Sequence, residues 1–159
     1  MFKEFMGLPL HPLAVHATVV LIPLLALGAA GYATLPRFRP QLGWVVWVLA
    51  VVTPLMAIVA RESGESLQEV VTEKHYPSSV LHKVAQHAHY ADTLQLLSLG
   101  LGITTILLLL QVRSKRGARM PRWAPAALVV VVVGLSGLNL VYSYLAGDSG
   151  AKLVWTGVL

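Results

Sequence analysis

Five of the chain's six histidines fall in two short stretches, His11 and His16 in HPLAVH and His82, His87 and His89 in HKVAQHAH. Imidazoles gathered at one place ligate transition metals through a ring nitrogen. Three or four of them suit a bare zinc, copper or iron ion, and one from each of two facing helices supplies both axial positions of a haem. The chain has no cysteine, which removes disulfides, thiolate metal sites and cysteine-held iron–sulfur clusters and leaves imidazole, carboxylate or a macrocycle. Asp92, three residues past His89, is the nearby oxygen ligand or hydrogen-bonding partner for a metal-bound imidazole. Neither stretch has the HExxH spacing of a zinc protease, and no catalytic motif stands out, so any enzymatic role stays open.

Helical phase divides the five. Residues seven apart return to nearly the same face, so His82 and His89 line one side two turns apart. His87 is rotated by about 140° from His82, and His16 by a similar angle from His11. One or two imidazoles from each helix therefore point inward, and the others meet water or lipid headgroups.

The elements that must position them are membrane helices. Of the 159 residues 56% are hydrophobic and 12% charged, about half the charge of an ordinary soluble domain. Four apolar segments, about 12–35, 42–60, 93–112 and 123–146, match the roughly 20 residues needed to cross a hydrocarbon core. The third helix is expected to begin near residue 79, capped by Ser78 or Ser79. Short first and third connections and a longer polar middle one predict an all-α, up-and-down four-helix bundle forming one domain over residues 1–159. The first span also resembles a signal peptide ending in LGAAGYA, but Glu4 beside Lys3 and the two histidines favour a retained helix.

Charge orients the bundle. Arg37 and Arg39 lie in the first loop, and Arg113, Lys115, Arg116, Arg119 and Arg122 in the third, whereas the acidic residues all fall on the other side. Positive residues stay cytoplasmic, so both termini, the middle loop with His75, and both histidine clusters are expected on the extracytoplasmic side of a bacterial inner (plasma) membrane. The net charge of +5 then reflects topology, and nucleic acid is not a partner. Arg61, Lys83 or Lys152 would neutralise haem propionates at the water boundary. Pro23 and Pro54 should kink their helices. Gly28 with Gly31, and Gly134 with Ser136 and Gly137, offer surfaces for close helix contact, and Asn139 is expected to bond across helices. Trp44, Trp47 and Trp123 form an aromatic belt at the inner face.

GLPLHPLAVH at 7–16, TPLMAIVARESGESL at 53–67, HAHYADTL at 87–94 and GDSGAKLVW at 147–155 together resemble a bacterial membrane family, the domain of unknown function 2231. The resemblance covers essentially the whole chain and implies a small four-span membrane protein. The family's recurring histidines match His11, His16 and His87, and its sGe.L stretch matches Ser63, Gly64, Glu65 and Leu67. Many members have a histidine where this chain has Asp148. The family name supplies no activity.

The sequence reading is a membrane electron-transfer protein holding haem b near its outer face, with His16 and His87 as the favoured axial pair and His11, His82 or His89 serving a second site. Its partners would be membrane lipid and a quinone or an extracytoplasmic redox protein, in a homo-oligomer or larger membrane complex. The alternatives are a copper, zinc or iron binding or transport protein using His11, His16, His82, His87, His89 and Asp92, with a polar route through Thr18, Thr53, Asn139 and Ser143, and a structural assembly subunit with protonatable interfacial histidines.

Overall fold

Long uninterrupted apolar runs leave the backbone one economical solution, because in lipid every N–H and C=O must be paired within the segment. The computed structural model describes residues 4–5, 8–73, 76–113, 121 and 123–155. After a two-residue antiparallel pairing of β1 (Glu4–Phe5) with β2 (Leu8–Pro9), it consists of α1 (Leu10–Thr34), α2 (Arg39–Glu73), α3 (Ser78–Arg113) and α4 (Ala124–Trp155). All four helices are long and apolar enough to cross a membrane, with mean hydropathy of 2.0 to 2.3 over their most apolar stretches.

The helices outrun the apolar spans read from sequence. α2 continues past Ala60 to Glu73 and α4 past Ala146 to Trp155. At 1.5 Å per residue, the 35 residues of α2 extend over about 52 Å, well beyond a hydrocarbon core of roughly 30 Å. Nothing in the polar sequence 61–73 breaks a helix, so the helix runs on where the apolar pattern stops. α3 begins at Ser78, but its first amides bond the Pro77 carbonyl, Val80 N at 2.9 Å and Leu81 N at 3.2 Å. The cap is therefore Pro77 backbone, not a serine hydroxyl. At the opposite end a 3-10 turn over Pro36–Phe38 joins α1 to α2. There the Arg39 guanidinium donates to the last carbonyls of α1, Tyr32 at 3.0 Å and Ala33 at 3.2 Å, closing a helix end that has no further amides of its own.

The helices pack in a ring in chain order, α1 on α2, α2 on α3, α3 on α4 and α4 back on α1, with α1 and α3 meeting only sparsely across the diagonal. The start of α1, the end of α2, the start of α3 and the end of α4 therefore share one end of the bundle. Many interior residues are small or polar, namely Ala14, Thr18, Ala26 and Ala29 on α1, Ala50, Thr53, Ala57 and Ala60 on α2, Ser98 and Thr105 on α3, and Ser136, Asn139 and Ala146 on α4, with Ile22, Leu25, Leu101 and Leu109 filling the space between them. Bulky Leu27, Leu96 and Val130 face outward. This is the membrane-bundle arrangement, in which small residues bring helices close and large apolar ones face lipid.

One close approach shows how. Pro54 within α2 has no amide to give the Ala50 carbonyl one turn back, and α3 covers that oxygen with Gly102, where a Cβ would sit 2.6 Å from it and 2.8 Å from Pro54 Cγ. The other small-residue surfaces divide: Gly28 and Gly31 pack against Val46 and Leu42 of α2, whereas Gly134 and Gly137 meet nothing within 4 Å. Asn139 bonds its own helix, Nδ2 donating to the Leu135 carbonyl at 2.9 Å, instead of a neighbour as expected.

Candidate functional site

The interior stripe of α1 reads 11, 14, 18, 22, 25, 29 and that of α3 reads 87, 91, 94, 98, the 3-4 spacing of a helix face turned toward its neighbours. His11 is the first residue of the α1 stripe, and His87 lies on the α3 stripe after Val80 and Val84. His11 and His87 consequently meet across the diagonal, their ring centroids 6.4 Å apart and their planes at 78°.

Hydrogen bonds fix both rings. His11 Nδ1 lies 2.9 Å from the Ala60 carbonyl and 3.3 Å from Ser63 Oγ, both on α2. A carbonyl only accepts, so Nδ1 carries the proton and Nε2 is left with its lone pair. His87 Nδ1 lies 3.0 Å from Ser149 Oγ on α4. That serine donates its single hydrogen to the Ala146 carbonyl at 3.1 Å, so toward His87 it can only accept. The second imidazole therefore also carries its proton on Nδ1. Both Nε2 atoms are free to act as ligands, the arrangement that a second-shell acceptor imposes on metal-binding histidines.

Beneath the rings lies an apolar cavity of about 70 Å³, lined by His11, His87, Val15, Ile22, Leu94 and Ala57 among others, with Arg61 also on its wall. Arg61 ties α2 to α3, its Nε donating to Asp92 Oδ1 at 2.9 Å while Nη1 and Nη2 pair Glu62 at 3.1 Å and Glu65 at 2.7 Å.

The other candidates sit apart. His16 is exposed and its Nδ1 bonds the Pro12 carbonyl one turn back on its own helix. His82 and His89 are exposed on α3, His89 beside Tyr90. Asp92 faces Arg61. Lys152 pairs Asp148 at 2.6 Å on α4, and Trp155 is exposed. His75 lies outside the described residues. Among the described residues, no group of three or more histidine, aspartate or glutamate side chains is set to hold a metal ion. Ser149 was not singled out from the sequence as a site residue. Its signal there is the pattern Ala-x-x-Ser-Gly, which occurs at 60–64 and again at 146–150.

The fold and site define a four-helix integral membrane bundle with a pair of facing imidazoles where its two hairpins meet. No curated protein and no solved structure matches the chain. The chain belongs to the predicted membrane protein family DUF2231, whose model matches residues 7–159.

Proposed function

We propose that the protein is a membrane electron-transfer protein that holds a b-type haem between His11 and His87. The observation that carries this reading is the imidazole pair itself. The two rings face each other across the bundle with centroids 6.4 Å apart, and His11 and His87 would be the residues that hold the iron, one from each hairpin. Two imidazoles are also too few for a bare zinc or copper ion, which takes three or four protein ligands. They suffice for an iron whose equatorial nitrogens come from a macrocycle. When bound, the haem supplies one-electron chemistry.

The residues around the pair support a low-dielectric haem pocket. Val15, Ile22 and Leu94 give the cavity an apolar wall, and the Nδ1 hydrogen bonds to Ala60 and Ser149 raise the donor strength of each imidazole. At about 70 Å³ the cavity is smaller than a porphyrin, so loading would part α1 and α3, which touch only sparsely. Arg61, once turned from its carboxylates, is the cation closest to the cavity for a propionate.

The basic residues Arg37, Arg39 and Arg113 lie at the bundle end opposite the histidines, whereas Glu62, Glu65, Glu69, Glu73, Asp92 and Asp148 lie toward the histidine end. By the positive-inside rule this supports an extracytoplasmic site in the inner membrane, facing a quinone or a soluble redox protein. Absorption spectra of the purified protein, air-oxidised and then reduced, with metal analysis of the same sample, test the reading. A reduced-minus-oxidised b-type spectrum is expected. Bound copper or zinc without a porphyrin band would replace haem by a metal-binding function, and neither would leave an assembly subunit.

A further inference from the structure

The two histidines are held by the same device twice. Ala60, Arg61, Glu62, Ser63 and Gly64 on α2 correspond in type to Ala146, Gly147, Asp148, Ser149 and Gly150 on α4 at the alanine, acidic, serine and glycine positions. Each serine donates to the alanine three residues before it, Ser63 to Ala60 at 2.9 Å and Ser149 to Ala146 at 3.1 Å. Each serine also stands within hydrogen-bond reach of the imidazole Nδ1 presented by the preceding helix, at 3.3 Å for His11 and 3.0 Å for His87. A Cβ at either glycine would lie 2.9 Å from the Cε1 of the same imidazole, closer than such carbons approach, so only glycine lets the rings settle there. The ring order of the helices places α1 and α2 opposite α3 and α4, so the two half-sites come one from each hairpin and the imidazoles meet between them.

We infer that the chain carries two corresponding half-sites, and that Ser63 with Gly64 and Ser149 with Gly150 are positioning residues that deliver two Nε2 lone pairs to one Lewis-acidic metal centre between the hairpins. Glycine sets where each ring lies, by giving it a flat stretch of helix to rest on. The half-sites differ in what sets which nitrogen keeps the proton. At His11 it is mainly the Ala60 carbonyl at 2.9 Å, and at His87 the Ser149 hydroxyl at 3.0 Å, whose own hydrogen goes to the Ala146 carbonyl, with that carbonyl also acting on the ring. The inference rests on the reading of His11 and His87 as ligands.

The test is solid-state NMR of ¹⁵N-histidine-labelled, haem-free protein in lipid, with His11→Ala and His87→Ala assigning the signals. In the wild type both histidines should show a protonated Nδ1 and an unprotonated Nε2. Gly64→Ala should shift the His11 signals and leave those of His87, and Gly150→Ala should do the reverse. Ser149→Ala should shift the His87 ring signals and Ser149→Thr restore them, whereas Ser63→Ala should leave the His11 tautomer intact. The two serine-to-alanine variants add no bulk at the ring, so they keep the test open if alanine at 64 or 150 prevents folding. A proton on Nε2 of either histidine in the wild type, or ring signals unmoved by both glycine variants, would overturn the inference. Because the sample carries no haem, its result is separate from that of the haem spectrum.

Discussion

Each of the two facing imidazoles has its Nδ1 held by an unremarkable partner, a carbonyl at Ala60 for His11 and a hydroxyl at Ser149 for His87. That is why the clusters were legible in the sequence and the pair was not. Residue type drew attention to His11, His16, His82, His87 and His89, and a favoured pair of His16 with His87 followed from the spacing and the family motif. The structure faces His87 with His11 and leaves His16 outside. The deciding information is the pair of small and polar residues, Ala14 and Thr18, that marks the inner face of α1 and on which His11 falls. In a soluble helix an apolar stripe would have shown that face. In a membrane helix both faces are apolar, and the inner one is distinguished by size and polarity. The same logic gives a prediction at Asn139, fully buried, with Nδ2 bonded within its own helix and Oδ1 without a partner among the described residues. Replacing an unsatisfied buried polar group by an apolar one of similar shape is neutral or stabilising. Asn139→Leu should therefore leave stability unchanged or raise it by up to about 1 kcal/mol in thermal or denaturant unfolding. A loss larger than that would show that Oδ1 has a partner, such as a buried water.

At the scale of the element, the four spans could be counted from hydropathy, but their lengths could not. Hydropathy reports where lipid begins, and α2 and α4 continue as helix through polar sequence beyond it. The extension matters, because Ser63, Gly64, Ser149 and Gly150 lie past the ends of the apolar segments read from the sequence, and without those extra turns neither imidazole has a holder. The pairing of α2 with α3 depends on a smaller feature. Pro54 exposes the Ala50 carbonyl and Gly102 lets α3 close over it, where a Cβ would lie 2.6 Å from backbone oxygen. Gly102→Ala must push the helices apart or bend one, at a cost of about 1–3 kcal/mol typical of overpacking. Gly134→Ala, at a position with nothing within 4 Å, serves as the control that should cost almost nothing. Equal effects of the two substitutions would contradict the packing described for α2 and α3.

At the scale of the whole molecule, the pair of imidazoles exists only because the two hairpins pack against each other. α1 and α3 each carry one imidazole, α2 and α4 each carry one cradle, and no single helix holds a complete half-site. The up-and-down bundle was predictable from loop lengths and from the requirement that membrane helices pair their own backbone. The diagonal meeting of α1 and α3 was not, because ring order in a four-helix bundle is decided by side-chain packing that hydropathy does not record. The central claim is that His11 and His87, one from each hairpin, are jointly required to hold a haem. It is tested most directly by the reduced-minus-oxidised absorption spectrum of the purified protein and of its five single histidine variants. His11→Ala and His87→Ala should each abolish the b-type bands, while His16→Ala, His82→Ala and His89→Ala should retain them. A spectrum that survives loss of His11 or His87, or that vanishes with His16, would contradict the account.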